Sequence, residues 1–144
     1  MIAACGQMQA NTMNEAAGVW AVVDRLADRA TEAAVDLLVL PEVTYPAYYL
    51  ESAERYRRVD IERSTAVRGR LSKLAAQHGF WLVAGFVEEE GDRLYNSAAL
   101  FDRQGGLVGI ARKNFLWDCD HDWFTPGETL SVFETEFGRM GLLI

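Results

Sequence analysis

The stretch from Ile2 to Pro41 constrains the fold more than any other part of the chain. Ile2 to Gln9 is a run of small and mostly apolar residues that reads as a strand. Thr12-Met13-Asn14-Glu15 then fits a capping box, in which a hydroxyl and a carboxylate satisfy the free N–H groups that open a helix. Behind it, Val19, Val22, Val23, Leu26 and Ala30 recur at helical spacing, with Asp24, Arg25, Asp28 and Arg29 between them. The spacing predicts an amphipathic helix that runs out near Ala34. Asp36-Leu37-Leu38-Val39-Leu40 follows as a strand buried on both faces, and Pro41, which cannot donate to a ladder, stops it. Strand, helix, strand implies parallel pairing with the helix laid across one face of the sheet.

The rest of the chain extends this pattern and then changes it. Residues 42 to 59 have no clean period; Tyr45, Pro46, Tyr48, Tyr49 and Tyr56 suggest an aromatic loop with one helical turn. A second helix carries Val67, Leu71, Leu74, Ala75 and His78 on one face, with Gly79 as the left-handed residue that ends it. Phe80 to Val87 is a continuous apolar strand. Gly91-Asp92 and Gly105-Gly106 then separate it from Tyr95–Phe101 and Leu107–Ala111, which predicts antiparallel hairpins. Arg112 to Gly127 reads as irregular. Leu130–Phe133 and Met140–Ile144 are two further strands around a turn near Glu136-Phe137-Gly138. The last residues, Gly141-Leu142-Leu143-Ile144, form an apolar strand-like run, whereas ordinary C-termini are polar and surface-bound, so the expectation is a fragment, a split gene or a truncated open reading frame.

Composition removes several classes. At 144 residues and 50% hydrophobic content the chain suits one domain with a sizeable core. A formal charge of −7 argues against a phosphate-coating surface, and so against nucleic acid as partner. No apolar run reaches the roughly 18 residues of a membrane span, and the N-terminus lacks a basic, then apolar, leader. The expectation is a cytoplasmic protein. Only Lys73 and Lys113 are lysines.

Four features can carry chemistry. Glu42 directly follows the strand ended by Pro41, where open α/β folds meet ligands; from position alone it is either a base or a solvated loop acid. Lys113, set among apolar residues at a strand end, either stabilises a developing oxyanion or snorkels at the surface. Asp118-Cys119-Asp120-His121-Asp122 holds metal-ligand residue types, and Cys119–His121 has the alternation of a nucleophile–base pair, but the usual ligand spacings and an orienting third group are missing. A polar loop with one useful acid is the simpler reading. Cys5 reads as a small buried hydrophobe.

The order of these features is more specific than any one of them. Leu38-Val39-Leu40-Pro41-Glu42, Tyr95-Asn96-Ser97-Ala98, Arg112-Lys113, Trp123-Phe124-Thr125-Pro126-Gly127 and Phe137-Gly138-Arg139-Met140-Gly141-Leu142-Leu143-Ile144 together resemble the nitrilase, or carbon–nitrogen hydrolase, superfamily. The resemblance covers essentially the whole chain. It implies an α/β fold, namely the first half of an α-β-β-α sandwich (a mixed sheet with helices on one face), with residues 1–144 as the N-terminal half of a catalytic domain. It implies Glu42 as general base and Lys113 as stabiliser of the tetrahedral intermediate. Asp120 stands where the family has a second glutamate. The family nucleophile is a cysteine directly after the strand matched by Gly141–Ile144, and neither Cys5 nor Cys119 stands there. The resemblance further implies no metal or organic cofactor, a small amide, nitrile or N-carbamoyl substrate, and either homo-oligomers or a complementary C-terminal half as partners. The isolated chain is accordingly expected to be inactive and marginal or self-associating. The competing expectation is a non-catalytic binding or assembly module built on the same fold.

Overall fold

The structure is a computed structural model that describes all 144 residues. Strand β1 (Ala3–Cys5) leads through a 3-10 turn (Met13–Glu15) into α1 (Ala16–Glu32) and then β2 (Leu37–Val39). Helices α2 (Ala53–Arg58) and α3 (Ser64–His78) precede three long strands, β3 (Trp81–Glu90), β4 (Arg93–Phe101) and β5 (Leu107–Arg112). One helical turn, α4 (Asp120–Trp123), and the hairpin of β6 (Ser131–Thr135) and β7 (Gly138–Leu142) complete it. The five-stranded sheet has the order β1-β2-β3-β4-β5, with β1, β2 and β3 mutually parallel and β4 and β5 antiparallel.

Local chemistry accounts for these elements. The carboxylate of Glu15 accepts the Thr12 N–H at 2.8 Å, closing the turn that launches α1. Gly79 adopts φ 69° and its N–H reaches Ala75 O, ending α3 where a side chain would be strained. Alternation along the strands then sorts the sheet's two faces. Leu38, Leu82, Ala84, Phe86, Ala99 and Phe101 pack with Val23, Ala27, Val67 and Leu71 of α1 and α3. Leu37, Trp81, Val83, Ala98 and Leu100 point the other way, toward Phe133, Met140, Leu142 and Ile144. Burying each large apolar side chain is worth about 1.5–3 kcal/mol, so the sheet is stabilised from both sides. Arg103 pins the hairpin down, donating to Asp36 Oδ1 at 2.7 Å and Glu136 Oε1 at 2.8 Å. A third cluster (Val43, Leu50, Tyr56, Val87, Leu94, Trp123 and Phe124) fills one end of the sheet and seats the loop after β2.

Four expectations change. β1 is three residues long, not eight, because Gly6 N makes the last rung to Val39 O at 2.8 Å and Gln7–Asn11 leave the sheet. Cys5 is exposed, since β1 is an edge strand with no neighbour on its outer side. The stretch from Arg112 to Gly127 contains α4. The last strand is not a core strand: β7 belongs to a separate two-stranded sheet, and Met140, Leu142 and Ile144 are half-buried while Leu143 is 83% exposed. No helix is long and apolar enough to cross a membrane.

Candidate active site

Beyond Leu40 the chain leaves β2 but stays laid along β3. Leu40 N reaches Val83 O at 2.8 Å, Gly85 N reaches Pro41 O at 3.2 Å, and Thr44 N reaches Gly85 O at 2.9 Å. Thr44 Oγ1 closes the turn by donating to Pro41 O at 2.7 Å. This close approach requires a glycine at position 85. A Cβ there would lie 2.5 Å from both Pro41 O and Val43 N and 2.8 Å from Glu42 Cα. Val43 takes φ 41°, a left-handed conformation that a β-branched residue holds only at a cost of about 1–3 kcal/mol. Its buried side chain, 2% exposed, supplies the anchoring that keeps it there. The turn thus aims Glu42 off the end of β2.

Lys113 comes from the other side of the sheet end. It is the first residue after β5, and its backbone stays tied by Lys113 N to Asn96 O and Gly127 N to Lys113 O, both 2.8 Å. The neighbouring Arg112 instead binds Glu88 and Glu90. The Lys113 amine donates to Glu42 Oε1 at 2.8 Å and forms an ion pair with Asp120 Oδ2 at 2.7 Å. Asp120, on α4, has a side chain 0% exposed; besides the amine it accepts the Trp117 N–H at 3.3 Å and the Tyr48 hydroxyl at 3.2 Å. Asn96 Nδ2 donates to Glu42 Oε1 at 2.6 Å.

The electrostatics follow from this arrangement. Burial alone would push the Lys113 amine down, but the hydrogen bonds and charges of Asp120 and Glu42 outweigh it, and the amine is held above the ordinary lysine range. It is a fixed cation at neutral pH. Burial, and then the charge of Asp120, push the Tyr48 hydroxyl up to about 12, so it remains a donor. Glu42, by contrast, keeps a side chain 36% exposed. It sits between two concavities. One, of about 220 Å³, is lined by Met8, Asn11, Thr44 and Tyr48; the other, of about 280 Å³, by Val83, Gly85, Ala98, Leu143 and Ile144. Half-enclosed, with one carboxylate open and one amine locked, the arrangement can exchange a proton at Glu42 and stabilise negative charge next to Lys113.

The structure therefore brings two of the sequence-selected residues, Glu42 and Asp120, each within hydrogen-bonding distance of the third, Lys113. The remaining members of the 118–122 cluster diverge. Asp118, His121 and Asp122 are exposed, and Cys119 packs half-buried against the Tyr56–Trp123 cluster. The sequence reading missed the side-chain bond of Asn96 to Glu42, the tie of Tyr48 to Asp120, and the necessity of Gly85. Gly85 had a readable signal: a lone glycine inside a continuous apolar strand marks a place where another backbone comes close.

A mixed five-stranded sheet covered by two helices on one face, with an amine fixed between two carboxylates at its end, is the frame of a nitrilase-type hydrolase. The chain belongs to the carbon-nitrogen hydrolase family, whose profile matches residues 2–144. It is 30% identical over 132 residues to the N-carbamoylputrescine amidase of Arabidopsis thaliana, covering 86% of this chain and 44% of that protein. It is 33% identical over 116 residues to an omega-amidase of Danio rerio, covering 74% of this chain and 41% of that protein. Among solved structures, an amidase from Nesterenkonia sp. superposes with a TM-score of 0.84 at 27% identity, covering 98% of this chain and 54% of that one. A mutant of the amidase from Nesterenkonia sp. AN1, which superposes with a TM-score of 0.86 at 26% identity, covering 98% of this chain and 54% of that one, carries the acetamide moiety of fluoroacetamide added covalently at its active-site cysteine. The chain thus spans about half the length of the relatives it matches.

Proposed function

We propose that residues 1–144 form the first half of a domain that hydrolyses non-peptide carbon–nitrogen bonds in a small amide, nitrile or N-carbamoyl compound. Glu42 is the general base, Lys113 the electrostatic stabiliser and Asp120 the buried acid that orients the lysine. A thiol supplied directly after Ile144 is the nucleophile. The single observation that carries this reading is the Lys113 amine, held 2.8 Å from Glu42 and 2.7 Å from Asp120, beside a cavity that Glu42 shares with Ile144. A residue following Ile144 starts from the rim of that cavity.

For an amide, Glu42 takes the thiol proton and the thiolate attacks the carbonyl carbon, placing the carbonyl electron pair on oxygen as an oxyanion beside Lys113. The oxyanion collapses, the C–N bond breaks, and the nitrogen leaves as ammonia or an amine with the proton returned by Glu42. Glu42 then removes a proton from water, which attacks the thioester. The carboxylic acid departs and the sulfur regains its proton. The residues present supply charge and proton transfer throughout, and the reaction as written requires no redox step. By the same reading residues 1–144 alone do not turn over, and the complete protein is a cytoplasmic homo-oligomer.

The deciding experiment begins with the coding sequence beyond the Ile144 codon. A cysteine codon followed by a second α/β half supports the proposal, and the protein so completed is expected to release ammonia from small amides or N-carbamoyl amines. Glu42→Gln and Lys113→Met are each expected to lower kcat/KM by a factor of at least 10². A stop codon after Ile144 with a stable, soluble product favours the binding module instead. Hydrolysis by residues 1–144 alone, abolished by Glu42→Gln, overturns the claim of inactivity.

A further inference from the structure

We propose that Asn96 is a positioning residue for the proposed base, fixing which oxygen of Glu42 handles the proton; this rests on the reading of Glu42 given above. The Asn96 amide donates to Glu42 Oε1 at 2.6 Å, and the Lys113 amine donates to the same oxygen at 2.8 Å. Oε1 therefore has two donors, one of them cationic, while neither donor reaches Oε2. The less engaged oxygen is the more basic, so Oε2 receives the proton and Oε1 is the anchor.

The second observation is the other end of the same amide. Asn96 is 1% exposed, and its Oδ1 is buried with no hydrogen-bond partner. An orphaned buried carbonyl destabilises the fold about as much as a lost hydrogen bond, and native structures rarely keep one without cause. Turning the amide over would press Oδ1 against the Glu42 carboxylate and remove the donor, so Glu42 dictates the orientation. A leucine of similar size would fill the site without any orphan. Stability therefore does not explain an asparagine here, whereas holding the carboxylate does. The backbone of the same residue contributes too: Asn96 O accepts the Lys113 N–H at 2.8 Å, so one position on β4 fixes both the acid and the chain that carries the amine.

The test follows the Glu42 carboxyl carbon by NMR in the 144-residue chain labelled at glutamate Cδ, the resonance being assigned by its loss in Glu42→Gln. Turnover is not required, so a failed hydrolase reading and a failed role for Asn96 stay distinguishable. In Asn96→Leu the Glu42 carboxyl resonance at neutral pH is expected to shift and broaden, because Oε1 loses one of its two donors and the carboxylate is no longer held in one orientation. Asn96→Asp keeps the shape and serves if the leucine variant does not fold. There the amide donor is replaced by a carboxylate that faces Glu42, and the same change in the Glu42 resonance is expected. A folded variant whose Glu42 resonance neither moves nor broadens makes Asn96 merely structural and overturns the proposal.

Discussion

Gly85→Ala is the substitution that most directly tests how Glu42 is placed. The added carbon would sit 2.5 Å from Pro41 O and Val43 N, where real contacts stay beyond 3.0 Å, and every atom in the way is backbone. No rotamer change relieves it, so the 41–44 turn has to recede from β3. That overpacking costs about 1–3 kcal/mol. The rungs Gly85 N to Pro41 O and Thr44 N to Gly85 O lengthen with it, each worth about 0.5–1.5 kcal/mol. The sum is about 2–6 kcal/mol, which at a urea slope near 2 kcal/mol/M lowers the midpoint by about 1–3 M. Gly69→Ala is the internal control. It lies exposed on α3 with nothing within 4 Å of its Cβ, so the same methyl group is expected to stabilise by about 0.5–1 kcal/mol. Urea unfolding followed by far-UV circular dichroism reads both. If Gly85→Ala costs under about 1 kcal/mol, or shifts the midpoint in the same direction as Gly69→Ala, the packing argument for the position of Glu42 is wrong.

Lys113→Met is expected to cost about 3–5 kcal/mol near neutral pH, because it strands the buried Asp120 carboxylate. The folded lysine binds its proton more tightly than the unfolded one, so this stabilisation is complete below the ordinary lysine value of about 10.4 and fades as pH climbs through the higher folded value. Melts from pH 7 to 11 should show a flat difference that shrinks only at the alkaline end; loss of the difference by pH 9 would contradict it. Glu88 runs the other way: burial pushes its carboxyl up, but Arg112 and Ser97 outweigh that and hold it below its usual range. Its contribution is present above about pH 4.3 and is lost as pH falls through the folded value, so Glu88→Gln should flatten the acid side of the stability curve. An acid limb unchanged in that variant would refute the assignment. Finally, Phe115, Trp117, Leu130 and Leu143 are 70–87% exposed and β1 is an open edge, so residues 1–144 should self-associate. Sedimentation showing a monomer at all concentrations, with one sharp thermal transition, would count against this.

Much of the molecule was readable from local pattern. The period of Val19, Val23 and Ala30 gives α1, the run Leu37–Val39 gives β2, and Gly79 and Gly91 mark where α3 and β3 end, because these depend on chain-local sterics and on which face is apolar. Glu42 and Lys113 were singled out because each follows a strand end, and their order along the chain matched a family. Sequence could not say that β7 would lie with its mate β6 across the outer face of the sheet, since pairing partners distant in sequence leave no mark on local periodicity. Nor could it say that Asp120, one of five polar neighbours, would turn inward while His121 turned out. The distances that make a site of these residues, 2.6 to 2.8 Å among Asn96, Glu42, Lys113 and Asp120, come from four separate segments brought to one end of the sheet. Only packing of the whole fold fixes them, because hydrogen bonds and ion pairs act over ångströms and Glu42 and Lys113 stand 71 positions apart in the chain.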